Sequence, residues 1–496
     1  MSTQHSPLFL DAVRHHQSGN LGTAERLYRK LVEKEPRNPD AWYLAGYLFI
    51  QRRQLTRALA HLDKAVQLRP HYTEAQLNRA NVLMELGRAE DAVLGYRAAT
   101  QCTQPHPEAF AGLGQALARL GRPAEAAEAF GAALRLAPDH SAANAGLANA
   151  LRLLGRDAEA LPHVLAYAVG AKDIQVLLDL SREAMSRNLL PVAHAALQAV
   201  TSLRPADADS LALLANLSQM GSRYAEAEAT ARRALALKAD LALAHSVLGR
   251  ALFRLERTEE AAAALKEACR LDPDDAEARH FLSLLTGETD SEAQLRYTRD
   301  LFDGCAATFD QVLVDQLEYS APWVLAEELK AAGVLDRSQA IIDLGCGTGL
   351  CGTLLKPHAT RLVGVDLAPG MVEATRRRGL YDEVIEGEIA EVLSGRNAEY
   401  DLAIAADVLI YIGESSQVFA ATRQALREGG CFAFSVEIED RPGVTGRSSG
   451  RFAHSSAYIQ DLAGRFGFAV IAERAFPLRK ELGHHIEGRA YVLRAI

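Results

Sequence analysis

A 34-residue rhythm governs the first half of this chain. Pro36, Pro70, Pro138, Pro205 and Pro273 stand 34, 68, 67 and 68 residues apart, and Gly19, Gly87, Gly121 and Gly155 keep the same 34-residue step or its double. A period of this length marks one small unit that cannot bury its apolar face alone, so successive units must stack. In DAWYLAGYLFIQRRQLTRALAHLDKAVQLRP the marks fall at Trp42, Gly46, Phe49, Ala58, Leu62 and Pro70. They return at Phe110, Gly114, Leu117, Ala126, Phe130 and Pro138, and again at Gly249, Leu252, Ala261, Leu265 and Pro273. Small residues at Gly46 and Ala58 let two helices approach closely, and proline stops the second because it cannot donate the helical hydrogen bond.

These residues at this spacing resemble the tetratricopeptide repeat, a pair of antiparallel helices. Eight units are expected to begin near residues 5, 39, 73, 107, 141, 174, 208 and 242, with AEARHFLSLLTGE as a closing helix. The resemblance implies an all-α solenoid over residues 5–290 whose concave face takes a protein or peptide partner. The ninth position of the first helix holds Asn81, Gln115, Asn149 and Asn216 in four units. Such amides could bond an extended peptide's backbone without reading its sequence. A solvated helix face is the other reading, since amides are ordinary surface residues.

Composition bounds the rest. With 496 residues, 49% of them hydrophobic and 24% charged, the chain reads as a multidomain globular protein with ample core. No run of about 18 apolar residues suggests a membrane span, and MSTQHSPLFLDAV lacks the basic and apolar regions of a secretory signal. Six cysteines without a CxxC pair suit reduced thiols in a cytoplasm better than disulfides or zinc, and no metal is expected. Of the net charge of −9, residues 291–496 carry −8, from 21 Lys+Arg against 29 Asp+Glu. That acidic half would be repelled by a nucleic-acid backbone, so no DNA partner is expected.

Beyond SLLTGETDSEAQL the rhythm changes to alternating strand and helix patterns over residues 291–496. AIIDLGC, RLVGVDLA, DEVIEGEI, YDLAIAADVLIYI, GGCFAFSVEI, FAVIAERAF and GRAYVLRAI read as seven strands of a mostly parallel, Rossmann-like doubly wound α/β sheet. A short link without a helix makes the last two an antiparallel pair.

The glycine-rich IIDLGCGTGLCG has two readings. Gly347-x-Gly349-x-x-Gly352 fits a dinucleotide fingerprint, whereas Asp343-x-Gly345-x-Gly347-x-Gly349 fits a loop that holds S-adenosylmethionine. The first would drag the strand's end onto Cys346. The second ends the strand at Asp343, leaves Gly352 incidental within the next helix, and alone goes with a terminal antiparallel pair. Asp366 closes the second strand, where a carboxylate can accept both hydroxyls of a ribose; both readings need it. Glu388, followed by Ile389, is placed to receive an adenine's exocyclic amine. Asp407 faces the same carboxyl edge of the sheet, where ligands bind in open α/β folds.

From Ile341 to Ile496 the sequence resembles the class I S-adenosylmethionine-dependent methyltransferases, and YTRDLFDGCAATFDQVLVDQLEYSAPWVLAEEL, SGRFAHSSAYIQDLAGRFGF and LRKELGHHIEGRAYVL bring it nearer to predicted bacterial methyltransferases with an N-terminal tetratricopeptide array. The resemblance implies that Asp343, Gly345, Cys346, Gly347, Gly349 and Asp366 hold the cofactor. Leu367 and Met371 either flank the adenine or simply pack. Tyr297, Phe302 and Phe309 lie on the segment that folds over the cofactor in related enzymes, where desolvation speeds methyl transfer; core packing is the other role open to them. Tyr411, Arg451, His454, Arg479 and Glu481 are the candidates for acceptor contact. His454 could serve as general base or be structural, and the arginines could clamp an anionic acceptor. No Asn-Pro-Pro-Tyr or Asp-Pro-Pro-Tyr follows the fourth strand, where ADVLIY stands, which disfavours methylation of DNA bases. The expected function is methyl transfer to an unidentified acceptor, with a catalytically silent binding scaffold as the competing class and a sugar-nucleotide glycosyltransferase as a weaker third.

Overall fold

In a computed structural model of the protein the described residues are 6–102, 106–306, 309–310, 318–336, 338–481 and 483–496. Residues 311–317 of the segment expected to cover the cofactor, and the Cys305 side chain, lie outside them. The chain forms two compact units, Met1–Ser210 and Leu211–Ile496. The change of sequence rhythm near residue 290 falls inside the second.

Helix pairs open with Pro7–Gln17 and Leu21–Lys34, then Pro39–Gln51 and Leu55–Leu68, then Thr73–Glu85 and Ala89–Thr100. Later pairs begin at Pro107, Ser141, Ile174, Ala208 and Ala242, and Ala276–Thr286 closes the series. Each pair turns through one left-handed residue. Gly19, Gly87, Gly121 and Gly155 take φ of 75°, 77°, 69° and 72°, and Arg53, Asn188, Ser222 and Glu256 take φ of 57°, 56°, 59° and 62° at the equivalent places. The glycine half of this series is what the sequence displays, because only glycine reaches that region without a Cβ penalty. Close helix approach is also as the repeats require. A Cβ on Gly46 would lie 2.9 Å from Leu62, on Gly114 2.7 Å from Phe130, and on Gly249 2.5 Å from Leu265.

The second unit carries a nine-stranded sheet among the described residues. Its strands are β1 (Gln339–Leu344), β2 (Ala359–Asp366), β3 (Glu383–Glu386), β4 (Tyr400–Ala405), β5 (Leu426–Ile438), β6 (Val444–Gly446), β7 (Phe452–His454), β8 (Phe468–Glu481) and β9 (His484–Ala495). The order runs β3-β2-β1-β4-β5, parallel throughout, with β9 antiparallel beside β5 and β8 antiparallel beside β9. This is the doubly wound sheet with an antiparallel end that the sequence implies. Ile341, Leu362, Leu402 and Val492 face one buried layer, and Ile342, Val363, Ala403 and Leu493 face the other. Such two-sided burial explains why the parallel strands read as continuous apolar runs.

Three details differ from the sequence reading. The fourth strand stops at Ala405 instead of Ile412, because Asp407 turns left-handed at φ 60° and Leu409–Tyr411 winds into a single tight turn. LRKELGHHIEG is mostly strand instead of a link, with β8 and β9 paired out to Glu481 and His484. Two short strands, β6 and β7, were not anticipated; β7 pairs with β5 at Glu437 and Ile438, beyond the end of β4.

Candidate active site

At the carboxyl end of β1 the chain must leave the sheet and enter the helix Leu350–Leu355 within a few residues. It does so through Gly345, Gly347 and Gly349, at φ of 69°, 54° and 89°. The N–H groups of Gly345 and Cys346 donate to the Val365 carbonyl at 2.8 and 2.9 Å, locking the turn to β2. A Cβ on Gly345 would stand 2.5 Å from Val408. On Gly347 the nearest atom would be the Phe309 ring at 3.7 Å, so its open face looks toward the covering segment.

Two carboxylates frame this turn. Asp366 accepts from the Gly347 N–H at 2.8 Å through Oδ2 and from the Ala368 N–H at 2.9 Å through Oδ1. Burial raises its pKa even so. An ionised carboxylate has about four acceptor sites, so two remain for a diol. Asp343 is 1% exposed. Its Oδ2 accepts from the Tyr381 hydroxyl at 2.6 Å, while Oδ1 has no hydrogen-bond partner among the described residues. Burial pushes its pKa up to about 7. A buried carboxyl with one bare oxygen, beside a turn open on one side, fits a ligand that brings a cationic donor.

Tyr381 is the residue that sequence reasoning missed, and Gly352 was the available signal. Far from being incidental, Gly352 makes room for the tyrosine ring: a Cβ there would fall 2.5 Å from its Cε2. Gly349 and Gly364 border the same ring, at 3.1 and 3.0 Å.

Glu388 uses Oε2 to cap the helix Ile389–Leu393, accepting from the Glu391 N–H at 2.7 Å. Ile389, Met371 and Cys346 are buried and Leu367 is half-buried. The helix Ser291–Cys305 and the short piece at 309–310 reach this edge: Asp303 accepts from the Gly370 N–H at 2.7 Å, and Asp310 pairs with Thr348 and Arg378. Phe302 meets Phe309 edge-on at 5.9 Å and Tyr411 at 4.9 Å. Tyr297 lies further along, stacked on His280.

The acceptor candidates divide into two ion clusters. Arg479, 2% exposed, donates to Asp407 at 2.9 and 3.2 Å and pairs with Glu437. Asp407 therefore stands next to the glycine turn, with Val408 against Gly345, while its carboxylate is taken by Arg479. Arg451 donates to Glu481 at 2.7 Å and through Nε to the Tyr411 hydroxyl at 3.2 Å. Burial would raise the Glu481 pKa, but Arg451 and Arg254 hold it below the usual range. Arg479 and Glu481 thus serve different partners instead of each other. His454 is buried, with Nε2 3.1 Å from the Ile412 carbonyl, and burial pushes its pKa down to about 4. Facing a carbonyl, Nε2 carries the proton and donates, while Nδ1 has no hydrogen-bond partner among the described residues.

In the first unit, Gln115 and Asn149 line a common cavity of 540 Å³ with Met84, Arg119 and Phe130. Asn81 is exposed and accepts from the Tyr96 hydroxyl at 2.6 Å. Asn216 belongs to the second unit, where Arg250 donates to it at 3.2 Å. Among the described residues no group of three or more His, Cys, Asp and Glu is arranged to hold a metal ion, and no helix is long and apolar enough to cross a membrane.

Residues 341–430 match the family described as a methyltransferase domain, and residues 12–73, 49–120, 111–173 and 249–282 match tetratricopeptide-repeat families. The chain combines a methyltransferase domain with an array of tetratricopeptide repeats. Among curated relatives, the malonyl-[acyl-carrier protein] O-methyltransferase of Serratia marcescens is 27% identical over 23% of this chain and 44% of its own length. Nodulation protein S of Rhizobium tropici is 31% identical over 17% of this chain and 37% of its own. The chain spans less than half the length of these relatives. The solved magnesium protoporphyrin IX methyltransferase of Synechocystis PCC 6803, with bound SAH, is 16% identical over 41% of this chain and 100% of that one, with a TM-score of 0.33.

Proposed function

We propose that this protein is an S-adenosylmethionine-dependent methyltransferase acting on a protein or small-molecule acceptor, with its repeats docking a protein partner. The domain division we adopt, 5–290 and 291–496, follows the change in sequence rhythm. The observation that carries the reading is the bare Oδ1 of buried Asp343 beside three left-handed glycines and the Asp366 carboxylate. Asp343 would take the ligand's ammonium group and Asp366 its ribose, with Glu388, Ile389, Leu367 and Met371 around the adenine. When bound, S-adenosylmethionine supplies a methyl group on an electrophilic sulfonium. The chain's own part is to orient and to exclude water: Phe302 and Phe309 cover the turn, and Tyr411 stands between the covering helix and Arg451. Holding nucleophile and methyl in line can contribute about 7–11 kcal/mol. On this reading Asp407 is a support for Arg479, and we assign no general base. The cavity at Gln115 and Asn149 supports peptide docking on the repeats. The free thiols of Cys102, Cys269, Cys346 and Cys351 support a cytoplasmic setting.

Calorimetric titration with S-adenosylmethionine, followed by labelled-methyl transfer into extract of cells lacking the gene, tests the proposal. Binding with labelled product is expected. Binding without product would favour the silent scaffold, and absence of binding would remove the cofactor assignment altogether.

A further inference from the structure

Two links tie the last repeat and the closing helix to the segment that carries Arg451, and both lie within the second compact unit. On the closing helix, His280 is 1% exposed and its Nε2 lies 2.9 Å from the Gly450 carbonyl. Facing a carbonyl, that nitrogen carries the proton and donates. The imidazole stacks on Tyr297, with 4.4 Å between centroids and 15° between planes, and meets Phe281 and Phe452 edge-on at 5.6 and 6.1 Å. Gly450 turns left-handed at φ 83°, and a Cβ there would strike the Tyr297 hydroxyl at 2.6 Å. The backbone just before Arg451 is therefore held by a ring cage that the repeats and the covering helix build together.

The second link is ionic. From the eighth repeat, Arg254 donates to Oε1 of Glu481 at 3.1 Å, while Arg451 donates to Oε2 of the same carboxylate at 2.7 Å. Arg451 then reaches the Tyr411 hydroxyl at 3.2 Å. A cavity of 360 Å³ opens at this junction, with walls from Arg254 as well as from Glu437, Arg447, Ser448, Ser449 and Glu481. Its size is that of an ordinary ligand pocket. Arg254 is thus one wall of a pocket whose other walls belong to the methyltransferase sheet and its loops.

We propose that the end of the repeat array is built into the acceptor side of the active site: Arg254 and His280 are positioning residues that fix Arg451 against Tyr411. This rests on the methyltransferase reading. It makes the repeats part of the reaction's geometry, in addition to any docking they perform. Removing either link leaves the cofactor turn untouched, since neither residue contacts it, but loosens Arg451.

The test uses the full chain with R254M, R254K and H280F. R254M keeps an unbranched side-chain stem without the charge, and H280F keeps an aromatic ring against Tyr297 without the bond to Gly450. R254M and H280F are expected to bind S-adenosylmethionine within about twofold of wild type while losing about tenfold or more in maximal labelled-methyl transfer into cell extract, with R254K regaining part of the loss. The half-saturating amount of extract should move far less than the maximal rate. Amide hydrogen exchange over residues 447–452 should quicken by about tenfold in both variants, at an unchanged unfolding midpoint. Wild-type transfer by R254M, or unchanged exchange over that segment, overturns the proposal. Should wild type bind the cofactor yet label nothing, the enzyme reading fails, while the exchange rates still decide whether the repeats hold this segment.

Discussion

Replacing Tyr381 with phenylalanine removes one hydroxyl from beside the glycine turn, with a consequence that follows from its bond to Asp343. In the wild type that hydroxyl donates to Asp343 at 2.6 Å and holds down a pKa that burial, even so, raises to about 7. A hydrogen bond to a charged group has a net value of about 1.5–3 kcal/mol, which is about one to two pK units. Y381F should therefore carry Asp343 to about 8–9. If the carboxylate must be ionised to receive an ammonium group, wild type is half competent at about pH 7. The variant is then about 1–10% competent, so its affinity there falls about five- to fiftyfold. The sign follows from linkage. Without ligand, the folded chain binds more protons at Asp343 than the unfolded chain between about pH 4 and pH 7, so this group's effect is that stability falls as pH rises across that window. Ligand affinity runs the other way, rising as pH passes about 7. Calorimetric titration with S-adenosylhomocysteine from about pH 6 to about pH 9 reads both midpoints. Equal affinities at neutral pH, with an unshifted profile, would refute the argument that Asp343 is the group answering to the ligand.

Other expectations are open to simpler measurements. G352A places a Cβ 2.5 Å from the Tyr381 ring, so it should reproduce the Y381F affinity profile and cost about 1–3 kcal/mol in urea unfolding. R479M strands Asp407 and Glu437 in the interior, and a loss of about 3–5 kcal/mol is expected by the same method; a neutral result would mean those carboxylates are protonated or hydrated. E256G relieves a left-handed glutamate at φ 62° and should raise stability by about 1 kcal/mol, seen as a higher unfolding midpoint.

Much of this architecture was legible because it repeats or because it is punctuated by glycine. The starts of the later helix pairs follow the 34-residue step, since each pair must present the same apolar face to its neighbour. The turn after β1 was legible because Gly345, Gly347 and Gly349 all adopt torsions that favour glycine. What escaped was whatever depends on partners distant in sequence. Tyr381 lies 38 residues from the carboxylate it serves, and nothing local in YDEVIEG marks it as belonging to the glycine loop. Arg479 and Glu481 share a strand face in any alternating pattern, yet one is claimed by a residue 72 positions away and the other by residues 30 and 227 away. Strand four was overrun because YDLAIAADVLIYI is apolar on both sides of Asp407, and hydrophobicity does not register a reversed torsion. β6 and β7 were hidden in VTGRSSGRFAH, where pairing of β7 to β5 and of β6 to β7 replaces apolar periodicity as the cause of extension.

The cage around His280 bears on how this molecule could be taken apart. Tyr297 and Phe452 sit on the methyltransferase-domain side of the sequence boundary near residue 290, whereas His280 and Phe281 sit on the repeat side. A fragment begun at that boundary would keep the whole sheet and still present two stripped aromatic rings to water, and it would tend to clump. Anyone grafting this methyltransferase domain onto another scaffold would have to carry the closing helix along with it.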